Sequence, residues 1–148
     1  MSMRPSSDKF SNVKTSSQRC IDRGHVRLID EGTGEVIASE VELADSFWRR
    51  LRGLMFRRRF PSGKAMFFKF KKPGRHGVHM SFMWFPIDLV YLDSGFKVVE
   101  VRARLKPWRV HWPKAAAKYL IELPAGVVNR TRVGVGRKIL LEGKVFNL

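Results

Sequence analysis

From residue 25 onward the chain is a series of short apolar runs separated by turn residues. Ala65–Phe70, His79–Phe85, Asp88–Asp93, Phe96–Ala103, Trp108–Trp112, Tyr119–Leu123 and Arg137–Glu142 are rich in Val, Ile, Phe, Tyr and Trp, the residues that suit a pleated, half-buried surface. Lys72-Pro73-Gly74, Phe85-Pro86, Asp93-Ser94-Gly95, Leu123-Pro124-Ala125-Gly126 and Glu142-Gly143 punctuate them. Asp93-Ser94-Gly95 between two apolar runs predicts a hairpin. A second hairpin is predicted for His25–Asp30 and Glu35–Leu43 around Glu31-Gly32-Thr33-Gly34, where glycine can supply the positive φ of a tight turn. Helical signals are sparse. Phe47, Leu51 and Leu54 recur at i, i+4 and i+7 behind a capping Asp45 or Ser46, which predicts one short helix near residues 45–54. Pro113–Lys118 is expected to form a single helical turn.

Residues 1–24 show no such period; rich in Ser, Thr, Asn and Pro with scattered apolar residues, they read as a flexible basic tail. The remainder, residues 25–148, is expected to be a single mainly β domain, a β-sandwich or barrel. No apolar run approaches the ~18–20 residues that span a bilayer, and the polar N-terminus lacks the apolar core of a signal peptide. A cytoplasmic protein without a membrane partner is the expectation.

Charge changes the picture. The chain of 148 residues carries 29 Lys and Arg against 13 Asp and Glu, a formal net charge of +16. Between Ser46 and Arg75 there are eleven basic residues and no acid. Like charges without local partners raise the potential and attract polyanions. Arg57, Arg58, Arg59, Lys71, Lys72, Arg75 and Arg109 are therefore candidate contacts for nucleic acid or another polyanion, made through its phosphates.

The stretch His79-Met80-Ser81-Phe82-Met83-Trp84-Phe85-Pro86-Ile87-Asp88 resembles the signature of the uncharacterised domain of unknown function 192 family. Three further blocks are similar to that family in the same order: Arg52-Gly53-Leu54-Met55, Leu105-Lys106-Pro107-Trp108-Arg109 and Tyr119-Leu120-Ile121-Glu122-Leu123-Pro124-Ala125-Gly126. The resemblance runs from about His25 to Leu148 and implies a jelly-roll-like sandwich with a short helix. It implies no activity. The load of Arg57, Arg58, Arg59, Lys71 and Lys72 departs from the family pattern.

Specific chemistry is harder to locate. Asp88 lies in apolar surroundings and must be paired, hydrogen-bonded or neutralised there. It is either a structural acceptor for backbone N–H groups, the favoured reading, or part of a pocket with His79, Trp108 and Arg109. His79, Asp88 and Glu122 form an imaginable triad or ligand set, but nothing in their spacing shows whether they converge. The four histidines lack the spacing of zinc hydrolases and Cys20 stands alone, so no metal is expected. Gly126, Gly134 and Gly136 form neither a P-loop nor a dinucleotide fingerprint, and no cofactor is expected. In Trp108-Arg109-Val110-His111-Trp112 the tryptophans and Val110 share one face of an extended segment. They either stack nucleic-acid bases or, as the alternation favours, anchor the core with Arg109 and His111 outward. An exposed tryptophan patch would instead mark a protein-interaction surface. Taken together, the features point to a non-enzymatic basic binding domain, with an enzyme or small-ligand protein bearing a pocket near Asp88 as the alternative.

Overall fold

The computed structural model describes residues 25–44 and 53–143. Among them the strands are β1 (Arg27–Asp30), β2 (Val36–Ala38), β3 (Glu40–Ala44), β4 (Lys64–Gly74), β5 (Val78–His79), β6 (Ile87–Leu92), β7 (Val98–Leu105), β8 (Val110–His111), β9 (Ala117–Pro124) and β10 (Ile139–Glu142). One helix, α1 (Val127–Thr131), follows β9. The protein is mainly β. Strands assemble into sheets of order β10-β1-β2, β3-β4-β9-β6-β7 and β5-β8. Both expected hairpins form: β1 pairs antiparallel with β2, and β6 with β7. The tail and most of the expected helix near residues 45–54 lie outside the described residues; Gly53 and Leu54, at its end, sit in a turn.

The five-stranded sheet is buried on both faces, and strand parity shows how. Ala65, Phe67, Val90, Leu92, Ile121 and Leu123 pack with Leu28, Ile37, Ala38 and Ile139 of the three-stranded sheet and with Val127 and Val128 of α1. The alternate residues Met66, Phe68, Ile87, Leu89, Tyr91 and Leu120 pack with Leu54, Met80, Met83 and Leu105 on the other face. Hence every residue of β6 is buried, and its near-continuous apolar run is what two covered faces require.

Asp88 belongs to this frame. Its Oδ1 accepts the N–H of Arg104 at 2.8 Å, and its Oδ2 accepts those of Gly126 at 3.0 Å and Val128 at 2.9 Å. Arg104 lies in the irregularity where Ile87 faces Leu105 while Leu89 faces Arg102, and it has a φ of 51°. Gly126 has a φ of 95° at the start of α1, with no side-chain cap of its own. One buried side chain thus satisfies a bulge in β7 and the first turn of a helix, both of which would otherwise bury unpaired donors. The structural reading of Asp88 holds, although its donors come from β7 and α1 rather than from the turn after Pro86.

Three local expectations fail for tertiary reasons. The run His79–Phe85 is strand only as far as His79; at Met80 the chain turns, with the N–H of Met83 donating to the Met80 carbonyl at 3.3 Å. Pro113–Lys118 is not helical: the N–H groups of Lys114 and Ala115 donate to Glu100 Oε2 at 2.7 and 2.9 Å, and from Ala117 the chain is strand β9, paired with β4 and β6. β4 continues through Lys71-Lys72-Pro73-Gly74, with an irregularity between Lys69 and Gly74 in its pairing with β9.

Replacing Asp88 with Ala leaves the N–H groups of Arg104, Gly126 and Val128, one buried and two partly buried, without their acceptor. Urea denaturation of Asp88→Ala is expected to show a loss of about 3–5 kcal/mol relative to wild type. A loss below about 1 kcal/mol would contradict this role for Asp88.

Candidate functional site

The second face of the large sheet is closed by loops, and those loops expose aromatic rings. Phe56 is 57% exposed, Phe82 44%, Trp84 63% and Trp108 56%. Their rings touch: Phe56 stacks on Phe82 at 5.0 Å between centroids, Phe82 meets Trp108 edge-on at 5.3 Å, and Trp84 meets Trp108 at 6.2 Å. Three of the four sit in the left-handed region, with φ of 62° at Phe56, 57° at Phe82 and 63° at Trp108. Backbone hydrogen bonds lock the loops together: Phe56 N–H donates to the Phe82 carbonyl at 3.0 Å, Trp108 N–H to the Met80 carbonyl at 2.9 Å, and Met80 N–H to the Arg109 carbonyl at 2.7 Å.

The alternation along Trp108–Trp112 therefore faces outward, not into the core. Val110 and Trp112 are also exposed, and His111 is the half-buried member, with Nε2 at 3.0 Å from Glu100 Oε1. Burial works against ionisation of Glu100, but the N–H groups of Ala115 and Lys114 and the His111 ring outweigh it and hold the carboxyl below its ordinary range. Trp112 lies against the backbone at Gly77, where an added Cβ would meet its ring at 2.4 Å.

The basic candidates divide among different places. Arg57 donates to both oxygens of Glu42, at 3.0 and 2.8 Å, and Lys64 pairs with Glu40 at 3.3 Å. Two cations of the acid-free window are thus answered by acids of β3, distant in sequence. Arg58 and Arg59 border an open groove with Phe60, Phe85, Pro86 and Pro124. Lys71, Lys72 and Arg75 lie by the other end of β9, where Gly74 pairs with Ala117 and Arg75 Nε donates to the Pro113 carbonyl at 2.7 Å. The eight residues of β9 set these ends apart by about 23 Å at 3.3 Å per residue. Between them runs the segment Trp108–Trp112, carrying the exposed Arg109.

Of the residues expected to share a pocket with Asp88, only His79 lines the cavity described next; Asp88, Trp108 and Arg109 do not line it. That cavity, of about 110 Å³, is bounded by Leu54, Phe68, Phe70, Met80, Met83 and Leu120, with His79 and Glu122 among its walls. His79 and Glu122 therefore share a site that Asp88 does not join. Glu122 is only 7% exposed and makes no hydrogen bond among the described residues. Burial pushes its pKa up to about 8, against the opposing pull of the Arg57 guanidinium. The signal in the sequence was the acid inside the apolar run Tyr119–Leu123; its partnerless state is a tertiary fact. No group of three or more His, Cys, Asp or Glu side chains among the described residues could hold a metal ion, and no described helix is long and apolar enough to cross a membrane.

The blocks that carry the sequence resemblance thus occupy defined places: His79–Asp88 supplies Phe82, Trp84 and Asp88, Leu105–Arg109 supplies Trp108, and Tyr119–Gly126 supplies the buried Glu122. The family profile DUF192, "Uncharacterized ACR", matches residues 28–141. The chain belongs to the DUF192 family. A UPF0127 protein of Pyrococcus horikoshii is 38% identical over 113 residues, covering 76% of this chain and 96% of that protein. One from Pyrococcus abyssi is 39% identical over 114 residues, covering 76% and 94%. Among solved structures, a Sinorhizobium meliloti 1021 protein provisionally described as a transcription regulator matches with a TM-score of 0.69 at 26% identity, over 79% of this chain and 92% of that one. A Novosphingobium aromaticivorans protein of unknown function gives 0.69 at 20% identity, over 78% and 83%, and shares the fold.

In this DUF192 chain the Glu122 carboxyl makes stability depend on pH. Its folded-state pKa lies above the unfolded value, so the folded state holds a proton that the unfolded state has released between about pH 4.5 and 8. Stability therefore falls as pH rises through that window and levels off above it. Glu122→Gln should flatten this component, and thermal melts at pH 5 and 8.5 should separate the two proteins by on the order of a few kcal/mol at the higher pH only. Parallel curves for wild type and Glu122→Gln would show that Glu122 is not the group concerned.

Proposed function

We propose that this protein is a non-enzymatic binder of single-stranded nucleic acid, using the exposed aromatic loops as a stacking surface and the flanking cations for the phosphates. The observation that carries the reading is that Phe56, Phe82 and Trp108 hold exposed, mutually touching rings on left-handed backbone. A left-handed non-glycine residue costs on the order of 1–2 kcal/mol, and an exposed ring forgoes most of the stabilisation from burial. Folding gains little from three such residues side by side, whereas a ligand with flat faces gains from a surface already ordered. Nucleobases stack on aromatic side chains for about 1–3 kcal/mol each with little regard to sequence.

Charge selects the class of partner. The net charge is +16. Arg109 directly follows Trp108, and Arg58 stands two residues after Phe56, with Arg59 next to it. Lys71 and Lys72 belong to the end of β4 where Arg75 reaches Pro113, just past Trp112. A flexible polyanion lying along the Trp108–Trp112 segment would meet cations at both ends and rings between. Arg57 contributes less, since Glu42 already holds it. The provisional description of the Sinorhizobium meliloti protein agrees with a nucleic-acid partner but is a statement about that protein alone. Cytoplasmic location follows from the same reading, because that is where such a partner is encountered.

Titration of the full chain with a twelve-nucleotide single strand, followed by tryptophan fluorescence, should show quenching and micromolar or better affinity at about 150 mM salt. With five phosphates neutralised, log K should fall against log salt with a slope of about −3 to −4. Trp108→Gly should weaken binding by roughly 5- to 150-fold, the equivalent of one lost stacked base, while leaving the melting temperature unchanged or higher because the left-handed strain is relieved. No binding at about 50 mM salt would overturn the proposal.

A further inference from the structure

Glu122 is the central residue of a row that crosses the large sheet: Glu42 on β3 pairs in register with Met66 on β4, Met66 with Glu122 on β9, and Glu122 with Leu89 on β6. Its side chain lines the 110 Å³ cavity, whose walls are mainly apolar and include His79. A buried carboxyl group normally finds hydrogen-bonding partners, because burying one without them costs several kcal/mol. Glu122 makes no hydrogen bond to a described residue, and its carboxyl oxygens are reached from the cavity rather than sealed off.

We infer that this cavity is a binding site for a small, neutral, mostly apolar molecule that presents a carbonyl oxygen to Glu122, of the kind a lactam offers. Three features select that chemistry. The first is size: a cavity of about 150 Å³ accepts benzene, so about 110 Å³ suits a ligand of about five or six non-hydrogen atoms. The second is the wall: the side chains of Leu54, Phe68, Phe70, Met80, Met83 and Leu120 present hydrocarbon and thioether groups, which favours a ligand that is itself mostly apolar. The third is charge. The ionisable groups facing Glu122 are Arg57 from the loop before β4, itself gripped by Glu42, Tyr91 from β6, and His79 from β5 on the cavity wall. Arg57 repels a cationic ligand, and the apolar wall disfavours an anionic one. A protonated carboxyl group, with one O–H to donate, is complementary to a neutral carbonyl. The inference is independent of nucleic-acid binding, because none of the exposed aromatic rings lines this cavity.

The test uses the full chain and 2-pyrrolidinone, followed by NMR of the Met80, Met83 and Leu120 methyl groups. Saturable binding is expected at pH 6.5. Since only the protonated carboxyl donates and its pKa is about 8, affinity should be about thirtyfold lower at pH 9.5. Glu122→Gln keeps an N–H donor at all pH values, so it should bind with similar affinity at both, and Glu122→Leu should bind at neither. Absence of saturable binding at pH 6.5 overturns the inference, as does an unchanged pH dependence in Glu122→Gln. Tighter binding of cyclopentylamine than of the lactam, strengthening as pH rises, would overturn the ligand class. Should Glu122→Gln fail to fold, the wild-type Glu122 carboxyl carbon supplies the reading: saturating lactam must move its titration midpoint upward, and an unmoved midpoint rejects the proposal.

Discussion

The five-stranded sheet is covered on both faces, but by different means, and much else follows from that asymmetry. One face meets a second sheet and α1, so Leu28, Ile37 and Ile139 interdigitate with Phe67, Val90 and Ile121 in the ordinary way of a sandwich. Loops close the other face. Regular elements bury one side and leave the other to polar residues, whereas a loop must pin its apolar members one at a time. Leu54, Met80 and Met83 do so, and the neighbours Phe56, Phe82 and Trp108 are turned outward on left-handed backbone as the same loops fold back. The exposed aromatic surface and the buried layer beneath it are thus two sides of one covering.

Two acids inside this frame show how partners, rather than depth, decide what a carboxyl group does. Asp88 and Glu122 are both buried, on adjacent paired strands. Asp88 receives three backbone N–H groups and fastens β6 to β7 and α1. Glu122 receives none among the described residues and faces hydrocarbon, so burial dominates and its proton is retained past neutrality. The nearest cation, Arg57, is committed to Glu42 by two hydrogen bonds, which limits how far it can favour the ionised form of Glu122. The first acid is spent on architecture; the second is left with an open valence toward the cavity.

Charge shows the same dependence on tertiary placement. A run free of acids along the chain is not free of acids in space: β3 lies parallel to β4 and brings Glu40 and Glu42 to Lys64 and Arg57. Of the other basic candidates, Arg58 and Arg59 lie by one end of β9, and Lys71, Lys72 and Arg75 lie by the other. A single dense patch would act as a point of attraction for any polyanion. On the proposed reading, two groups with aromatic rings between them suit an extended, flexible polyanion that offers bases to stack.

The amino-acid pattern alone determined the mainly β character, both hairpins, most strand positions and the family, because Val, Ile and aromatic runs broken by Gly, Pro and Asp act over a few neighbouring residues. It also marked Asp88 as a polar residue that had to be satisfied. It did not show where the donors would come from, since Arg104, Gly126 and Val128 reach Asp88 across 16 to 40 positions. The helix Val127–Thr131 escaped notice for the same reason: its β-branched residues and uncapped glycine start have little helical signal, and a distant side chain stabilises its first turn. Trp108–Trp112 is the sharpest case. Its alternation specifies two faces, but which face meets water depends on what packs against each, and that is decided by folding of the whole chain, not by local order along it.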